Sequence, residues 1–299
     1  MMAFTLPVLQ GVRVLSLALN LPGPAALMRC RAMGATCVKL EPPAGDPMAR
    51  HNPAAYAQLH EGVKVLVADL KAEAGQKILD GELAQADVLL TSFRPSALAR
   101  LGLAWDELHR RYPALSQVAI VGAPGARAEE PGHDLTYLAE NGLVSGTELP
   151  ATLYADMSGS LMASEAVLQA AMLQRERHAG RGEARAQGVL MEIALSDAAA
   201  YVALPRDWGL TQPAGWVGGA HAGYRVYRCK DGRVAVAALE PHFAAALCAA
   251  AGASASDPRA MLAPATHEAV AAFLLTRTRQ ELDRLAIEKD LPLHTMAAA

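Results

Sequence analysis

The sequence predicts an α/β fold: a Rossmann-like parallel sheet covered by helices in a large first domain, followed by a smaller α+β domain. Three observations carry this reading. Short apolar runs alternate with helix-length segments over the first 125 residues, the rhythm of a parallel sheet with crossover helices. Those runs are almost wholly apolar, as strands covered on both faces must be. The chain has 299 residues, 52% hydrophobic and 19% charged, enough for a large core and a length suited to about two domains.

The elements follow in order. GVRVLSLA is the first strand, and PGPAALMRCRAMGA turns at Pro-Gly-Pro and continues as a helix. TCVKLEPP is a second strand stopped by prolines. GVKVLVADL is the third strand, KAEAGQKILDGELAQA a helix and ADVLLTSF the fourth strand. RPSALARLGLAWDELHRRYPAL reads as helical and SQVAIVGAPG as the fifth strand, while GVLMEIALSDAAAYVAL later reads as a strand running into a helix. Two strands then flank Lys230-Asp231-Gly232, a hairpin turn signal. From Pro241 onward the chain reads as helical, with THEAVAAFLLTRTRQELDRLAIEKD the clearest amphipathic stretch. The composition shift places the domains at 1–212 and 213–299.

Several function classes recede. The formal net charge is −3, which gives no reason to expect nucleic acid or an anionic membrane as a partner. No run approaches the roughly 18 apolar residues of a membrane span, and MMAFTLPVLQGVRV has no signal-peptide pattern. Cys30, Cys37, Cys229 and Cys248 fit neither a zinc site nor a disulfide framework, so reduced thiols, no metal and a cytoplasmic location are expected. The turn after the first strand, LNLPGPAALM, has no G-x-G-x-x-G, which argues against a dinucleotide site.

The candidate residues each carry two readings. Arg94 stands at a strand end and a helix start, where it could hold a phosphate or pair with a surface carboxylate. His133, in PGHDLTYLAENGLVSG, is either a turn residue or an acid–base group. Asp156 reads as the N-cap of a helix containing Ser158 and Gly159. The backbone N–H groups that follow it could stabilise an enolate oxygen. Leu161, Leu168 and Met172 form one stripe of that helix, interrupted by Glu165. RHAGRGEARAQ reads as a solvated basic loop. Glu240, at the end of AVAALE, reads on its own as a strand-end charge facing water.

Taken together, QGVRVLSLALNLPGPAAL, RAMGATCVKLEPPAGDP, YAQLHEGVKVLVADLKAEAG, ADVLLTSFRPSALARLGL and PGHDLTYLAENGL resemble the family III CoA-transferases, the carnitine and bile-acid type. GVLMEIALSDAA and YRVYRCKDGRVAVAALEPHF extend the resemblance over nearly the whole chain. GHDLTY, the lone Asp of LYADMSGS and ALEPHF look most like the α-methylacyl-CoA racemase branch. The resemblance implies that His133 and Asp156 are the acid–base pair and that Glu240 lines the same site. It further implies that CoA is held by Ala68, Asp69, Leu70 and Lys71, by Arg94, and by Gly132, Asp134 and Tyr137 in the GHDLTY stretch. The substrate is then a coenzyme A thioester, with no covalently bound cofactor. The expected assembly is a homodimer, interlocked in the relatives.

The implied reaction is epimerisation of a 2-methylacyl-CoA through an enolate. The alternative is CoA transfer between carboxylic acids through an acyl anhydride on Asp156. A second alternative is a non-catalytic acyl-CoA-binding homologue. Departures from the family pattern bear on these readings. Pro42 stands where an arginine for the CoA phosphate is common, leaving Lys39 and Arg50 as nearby substitutes. The loop after the fifth strand is shorter than usual, the RGEARAQG turn is longer, and Met157-Ser158-Gly159-Ser160 replaces a run of glycines. Relatives continue past LPLHTMAAA into a segment that returns to the large domain, so a C-terminally shortened member is expected.

Overall fold

A computed structural model describes residues 6–179, 187–254 and 258–298. Residues 180–186, most of the RGEARAQG turn, lie outside them. The chain divides into two compact units, Met1–Ala203 and Leu204–Ala299, a division that falls ahead of the 212/213 boundary read from composition.

The first unit is built on β1 (Arg13–Ser16), β2 (Thr36–Glu41), β3 (Lys64–Val67), β4 (Val88–Thr91), β5 (Ser116–Val121) and β6 (Leu190–Ala194). All pair in parallel, in the order β3-β2-β1-β4-β5-β6. This is the doubly wound Rossmann order, and its strand sequence reverses between β1 and β4. Alternation along the strands feeds two cores. Val14, Cys37, Val88, Leu90, Val118 and Ile120 enter one, and Leu15, Leu17, Val38, Leu40 and Leu89 enter the other.

The helices of this unit are α1 (Pro22–Ala32), α2 (Pro47–His51), α3 (Pro53–Leu59), α4 (Glu73–Leu83), α5 (Pro95–Arg100), α6 (Trp105–Arg111), α7 (Asp134–Glu140) and α8 (Tyr154–Ala179). A ninth, α9 (Leu195–Asp207), follows β6 directly. The helical stretch expected over Arg94–Leu115 is divided into α5 and α6, because Gly102 turns the chain with φ 71° after α5. α2 and α3 were not anticipated. Each begins with a capping side chain before a proline: Asp46 accepts from the Met48 N–H, and Asn52 from the Ala55 N–H. That pairing is a start signal legible in DP and NP. α8 buries its small side: Ala155, Ala163, Ala166, Ala170 and Ala171 are buried, whereas Leu161 is 48% and Met172 52% exposed.

The second unit pairs β7 (Tyr224–Cys229), β8 (Gly232–Ala237) and β9 (Leu293–Met296) in an antiparallel sheet ordered β7-β8-β9. α10 (Pro241–Ala251), α11 (Pro264–Leu275) and α12 (Arg279–Glu288) supply Leu247, Val270, Leu274 and Leu282 to its core. The final strand replaces the helical ending read from the sequence. All four cysteines are buried and unpaired.

A buried ion cluster fixes the loop after β2. Lys39 is fully buried, and its ammonium donates to Asp46, to Glu41 at 3.1 Å and to His60 Nε2 at 2.8 Å. His60 Nδ1 donates to the Tyr56 carbonyl at 2.7 Å, so its Nε2 is the acceptor for Lys39. Burial drives His60 down from its ordinary pKa, which keeps the ring neutral for that contact. Glu41, Asp46 and His60 offer ligand atoms within 4.8 Å of one another, and Lys39 is the cation they share. Lys39 is therefore committed inside the protein and is not free to serve as the phosphate contact considered for it from the sequence. The second candidate, Arg50, is exposed and donates to the Ala44 carbonyl at 2.7 Å.

Removing one partner of a buried ion pair strands the others. Lys39→Met is expected to lower unfolding free energy by ~3–5 kcal/mol in urea titrations. A loss below about 1 kcal/mol would show that the cluster is solvated.

Candidate functional site

The strand order makes a crevice at the carboxyl ends of β1 and β4, and a cleft of about 380 Å³ opens there. Leu19 and Asn20 line it after β1, Ser92 and Arg94 after β4, and Gly122 after β5. α7 and α8 close it with His133, Tyr137 and Asp156, and Leu195 completes the wall. Asn20 takes a left-handed backbone, φ 65°, and its N–H is accepted by the Asp46 carboxylate at 3.1 and 3.2 Å. The buried ion cluster thus reaches the cleft through Asp46.

Of the residues expected at a site, Arg94, Gly132, His133, Tyr137 and Asp156 meet in this cleft. The Arg94 guanidinium is exposed and makes no hydrogen bond or ion pair among the described residues, leaving it open to an anion. Its charge nevertheless helps to hold Glu129 below the usual carboxylate range, after the hydrogen bonds from Ser96. Ala68, Asp69, Leu70 and Lys71 do not line the cleft. They follow β3, at the same end of the sheet but beyond β2. There Ala68 is buried, Leu70 packs on the core and Asp69 accepts the Lys71 N–H at 3.0 Å. Glu240 belongs to the second unit, where it stands exposed at the N-cap of α10 without a side-chain cap bond.

Two expectations about Asp156 need correction. It is not the N-cap of α8. The helix begins at Tyr154 and Asp156 lies within its first turn. Nor do the N–H groups at and after Asp156 point to a ligand. The Asp156 N–H is donated to the Asp134 carboxylate at 2.9 Å, and the Met157 N–H to the Leu153 carbonyl at 3.0 Å. Asp134, expected to contact CoA, is buried, and its side chain satisfies an orphan N–H of α8.

This arrangement sets the charge on Asp156. Burial is the main cause that pushes its carboxyl up to about 6, the Asp134 charge adds to it, and His133 opposes it. His133 itself is exposed at the start of α7, where its N–H donates to Thr136 Oγ1 at 3.0 Å. Gly159 lets α8 approach α9. A Cβ there would lie 2.4 Å from Leu195 Cδ2, so the one glycine kept in the Met-Ser-Gly-Ser stretch sits against the cleft wall. The strand-end residues Asn20, Ser92 and Gly122 were not singled out in advance. Their positions beside the β1/β4 reversal are the signal that finds them.

The sequence profile of CoA-transferase family III matches residues 9–298. The chain belongs to this family. Among its relatives, a cinnamoyl-CoA:phenyllactate CoA-transferase of Clostridium sporogenes is 37% identical over 150 residues, 46% of this chain and 36% of that one. An alpha-methylacyl-CoA racemase of Mus musculus is 30% identical over 259 residues, 80% of this chain and 64% of that one. The crystal structure of a hypothetical protein from Mycobacterium tuberculosis superposes with a TM-score of 0.79 at 25% identity, covering 96% of this chain and 83% of the other. This family III chain spans between about a third and two thirds of the length of those two curated relatives. No helix among its described residues is long and apolar enough to cross a membrane.

The raised Asp156 carboxyl has a stability consequence. The unfolded chain ionises Asp156 near 3.8 and the folded chain near 6. Folding is therefore favoured by this group below 3.8 and loses that advantage as pH rises through 6, by up to ~3 kcal/mol. Asp156→Asn is expected to gain stability over the parent at pH 7.5 and not at pH 3.5, read by urea unfolding. An equal difference at the two pH values would show that the carboxyl is not shifted.

Proposed function

We propose that this family III member acts on acyl-CoA thioesters as a racemase of the α-methylacyl-CoA type, exchanging the proton on the carbon next to the thioester. The observation that carries the reading is a carboxyl held near 6 in the same cleft as the imidazole of His133. Inversion needs a base on one face of the carbon and an acid on the other. A carboxyl near 6 supplies either form close to neutral pH, and an imidazole is a group that can take up and return a proton. In one direction His133 removes the α-proton, the bond pair moves into the thioester as an enolate, and protonated Asp156 delivers a proton to the opposite face. This leaves His133 protonated and Asp156 ionised, ready for the reverse direction. Arg94 is the proposed phosphate contact of CoA. The Ala68–Lys71 turn, Asp134 and Glu240 have the family resemblance as their support for a ligand role.

The transferase reading has its own support, since the relative at 37% identity is named a CoA-transferase. In that chemistry ionised Asp156 attacks the thioester carbonyl, the carbon–sulfur bond breaks, and CoA thiolate leaves behind an acyl anhydride. The thiolate then attacks the Asp156 carbonyl of that anhydride, releasing the first acid and leaving an Asp156–CoA thioester. The second acid's carboxylate displaces the thiolate to form a new anhydride, and the thiolate attacks the acyl carbonyl of that anhydride, giving the new acyl-CoA and freeing the Asp156 carboxylate.

In deuterated buffer, a single enantiomer of a 2-methylacyl-CoA is expected to gain α-deuterium and lose optical purity. His133→Ala and Asp156→Ala should each slow this by at least ~100-fold while still binding CoA, whereas Arg94→Ala should weaken CoA binding. The pH profile of kcat/KM should bend near 6. Thioester binding without deuterium uptake overturns the racemase reading. Acid-dependent CoA exchange with a hydroxylamine-trapped Asp156 would establish transfer instead, and binding with neither reaction a non-catalytic homologue.

A two-fold homodimer covering the exposed Leu161 and Met172 of α8 is part of the same proposal. Sedimentation should find dimers for the parent and monomers for the Leu161→Glu, Met172→Glu double variant; a monomeric parent overturns it.

A further inference from the structure

We infer that the Tyr137 hydroxyl donates a hydrogen bond to the thioester oxygen of the bound acyl-CoA, a role that rests on the acyl-CoA reading above. Both chemistries considered there build negative charge on that oxygen, as an enolate or as a tetrahedral adduct, and both need a donor aimed at it. The N–H groups of Asp156 and Met157 are committed to Asp134 and Leu153. A side chain of the cleft can meet the same requirement.

Tyr137 is 7% exposed, yet it lines the cleft with Asp156, His133 and Arg94. Its hydroxyl has no hydrogen-bond partner among the described residues. The ring is buried while its oxygen is not fully enclosed, so the hydroxyl opens on the cleft and is free to meet a ligand there. Its place is fixed by two glycines on separate segments. A Cβ built on Gly122 would fall 2.3 Å from Tyr137 Oη, and one on Gly132 2.5 Å from it. No larger residue at either position leaves the hydroxyl where it is. The backbone is held as well: the Tyr137 N–H bonds to the His133 carbonyl, and its carbonyl accepts from Asn141 Nδ2 at 2.9 Å. The donor is thus pre-positioned and needs no reorganisation when charge develops. Burial, with the Asp156 charge behind it, raises the phenol above its ordinary pKa, which keeps it in the donating form.

Tyr137→Phe removes the oxygen and little else. In whichever reaction the parent catalyses, kcat is expected to fall ~100-fold with KM changed by less than about threefold. Bound acyl-CoA labelled with ¹³C at the thioester carbonyl supplies a direct reading by infrared difference spectroscopy. The carbonyl stretch should lie below its free-solution frequency in the parent and return toward it in the variant. Tyr137→3-fluorotyrosine keeps the shape and strengthens the donor, so it should lower the frequency further, even if the phenylalanine variant folds poorly. Unchanged kcat and carbonyl frequency in the phenylalanine variant, or an unchanged frequency with fluorotyrosine, overturns the Tyr137 assignment alone. A parent that binds no acyl-CoA overturns the acyl-CoA reading and this role with it.

Discussion

The buried Asp134 carboxylate accepts the Asp156 N–H, and the geometry of the cleft follows from that bond. It ties the first residue of α7 to the first turn of α8, so the histidine that precedes one helix and the carboxylate of the other share a cavity wall. It also places one negative charge close to another in a poorly solvated position, which helps to lift Asp156. A serine or asparagine could cap the same N–H without that charge. The acidic residue makes the cap an electrostatic lever on its neighbour.

The other side of the cleft is organised by a different buried charge. A dinucleotide fold of this strand order commonly turns after β1 on a glycine-rich loop. Here the turn carries Asn20 in a left-handed conformation, held by Asp46, and Asp46 is held in turn by fully buried Lys39. A hydrogen-bonded carboxylate does what glycine's freedom does elsewhere. Because Asp46 also caps α2, the loops after β1 and β2 form one connected unit.

The parallel sheet was legible because its strands are continuous apolar runs and its helices are separated from them by prolines and glycines. Local breaks were harder to read. α5 and α6 are continuous helix formers except for Gly102, whose positive φ shows only in three dimensions. β9 is four residues long and gains its meaning from pairing with β8, a contact distant in sequence. His133, Arg94 and Asp156 could be named from the sequence as candidates, but their surroundings could not. Lys39 looks like an available cation in VKLEPP, and its burial depends on Asp46 and His60, from separate helix ends, converging with Glu41 of its own strand. Asp134 looks like a ligand contact beside His133, and only the arrival of α8 makes it a cap. Side chains whose role depends on long-range partners are where sequence reading gives out.

On the proposed reading, a carboxyl near 6 would serve either chemistry in this cleft. At neutral pH Asp156 is mostly ionised, the form that a nucleophile requires, while a minor protonated fraction persists that an acid catalyst can use. Which path wins then depends less on Asp156 than on what meets the substrate's α-carbon and carbonyl oxygen. An imidazole opposite the carbon lowers the barrier to proton removal. A firm donor on the oxygen lowers the energy of enolate and tetrahedral adduct alike. On the proposed acyl-CoA reading the distinguishing group is His133: with a base in reach of the α-proton the enolate path would open, and without one the same activated carbonyl would have only the carboxylate to react with.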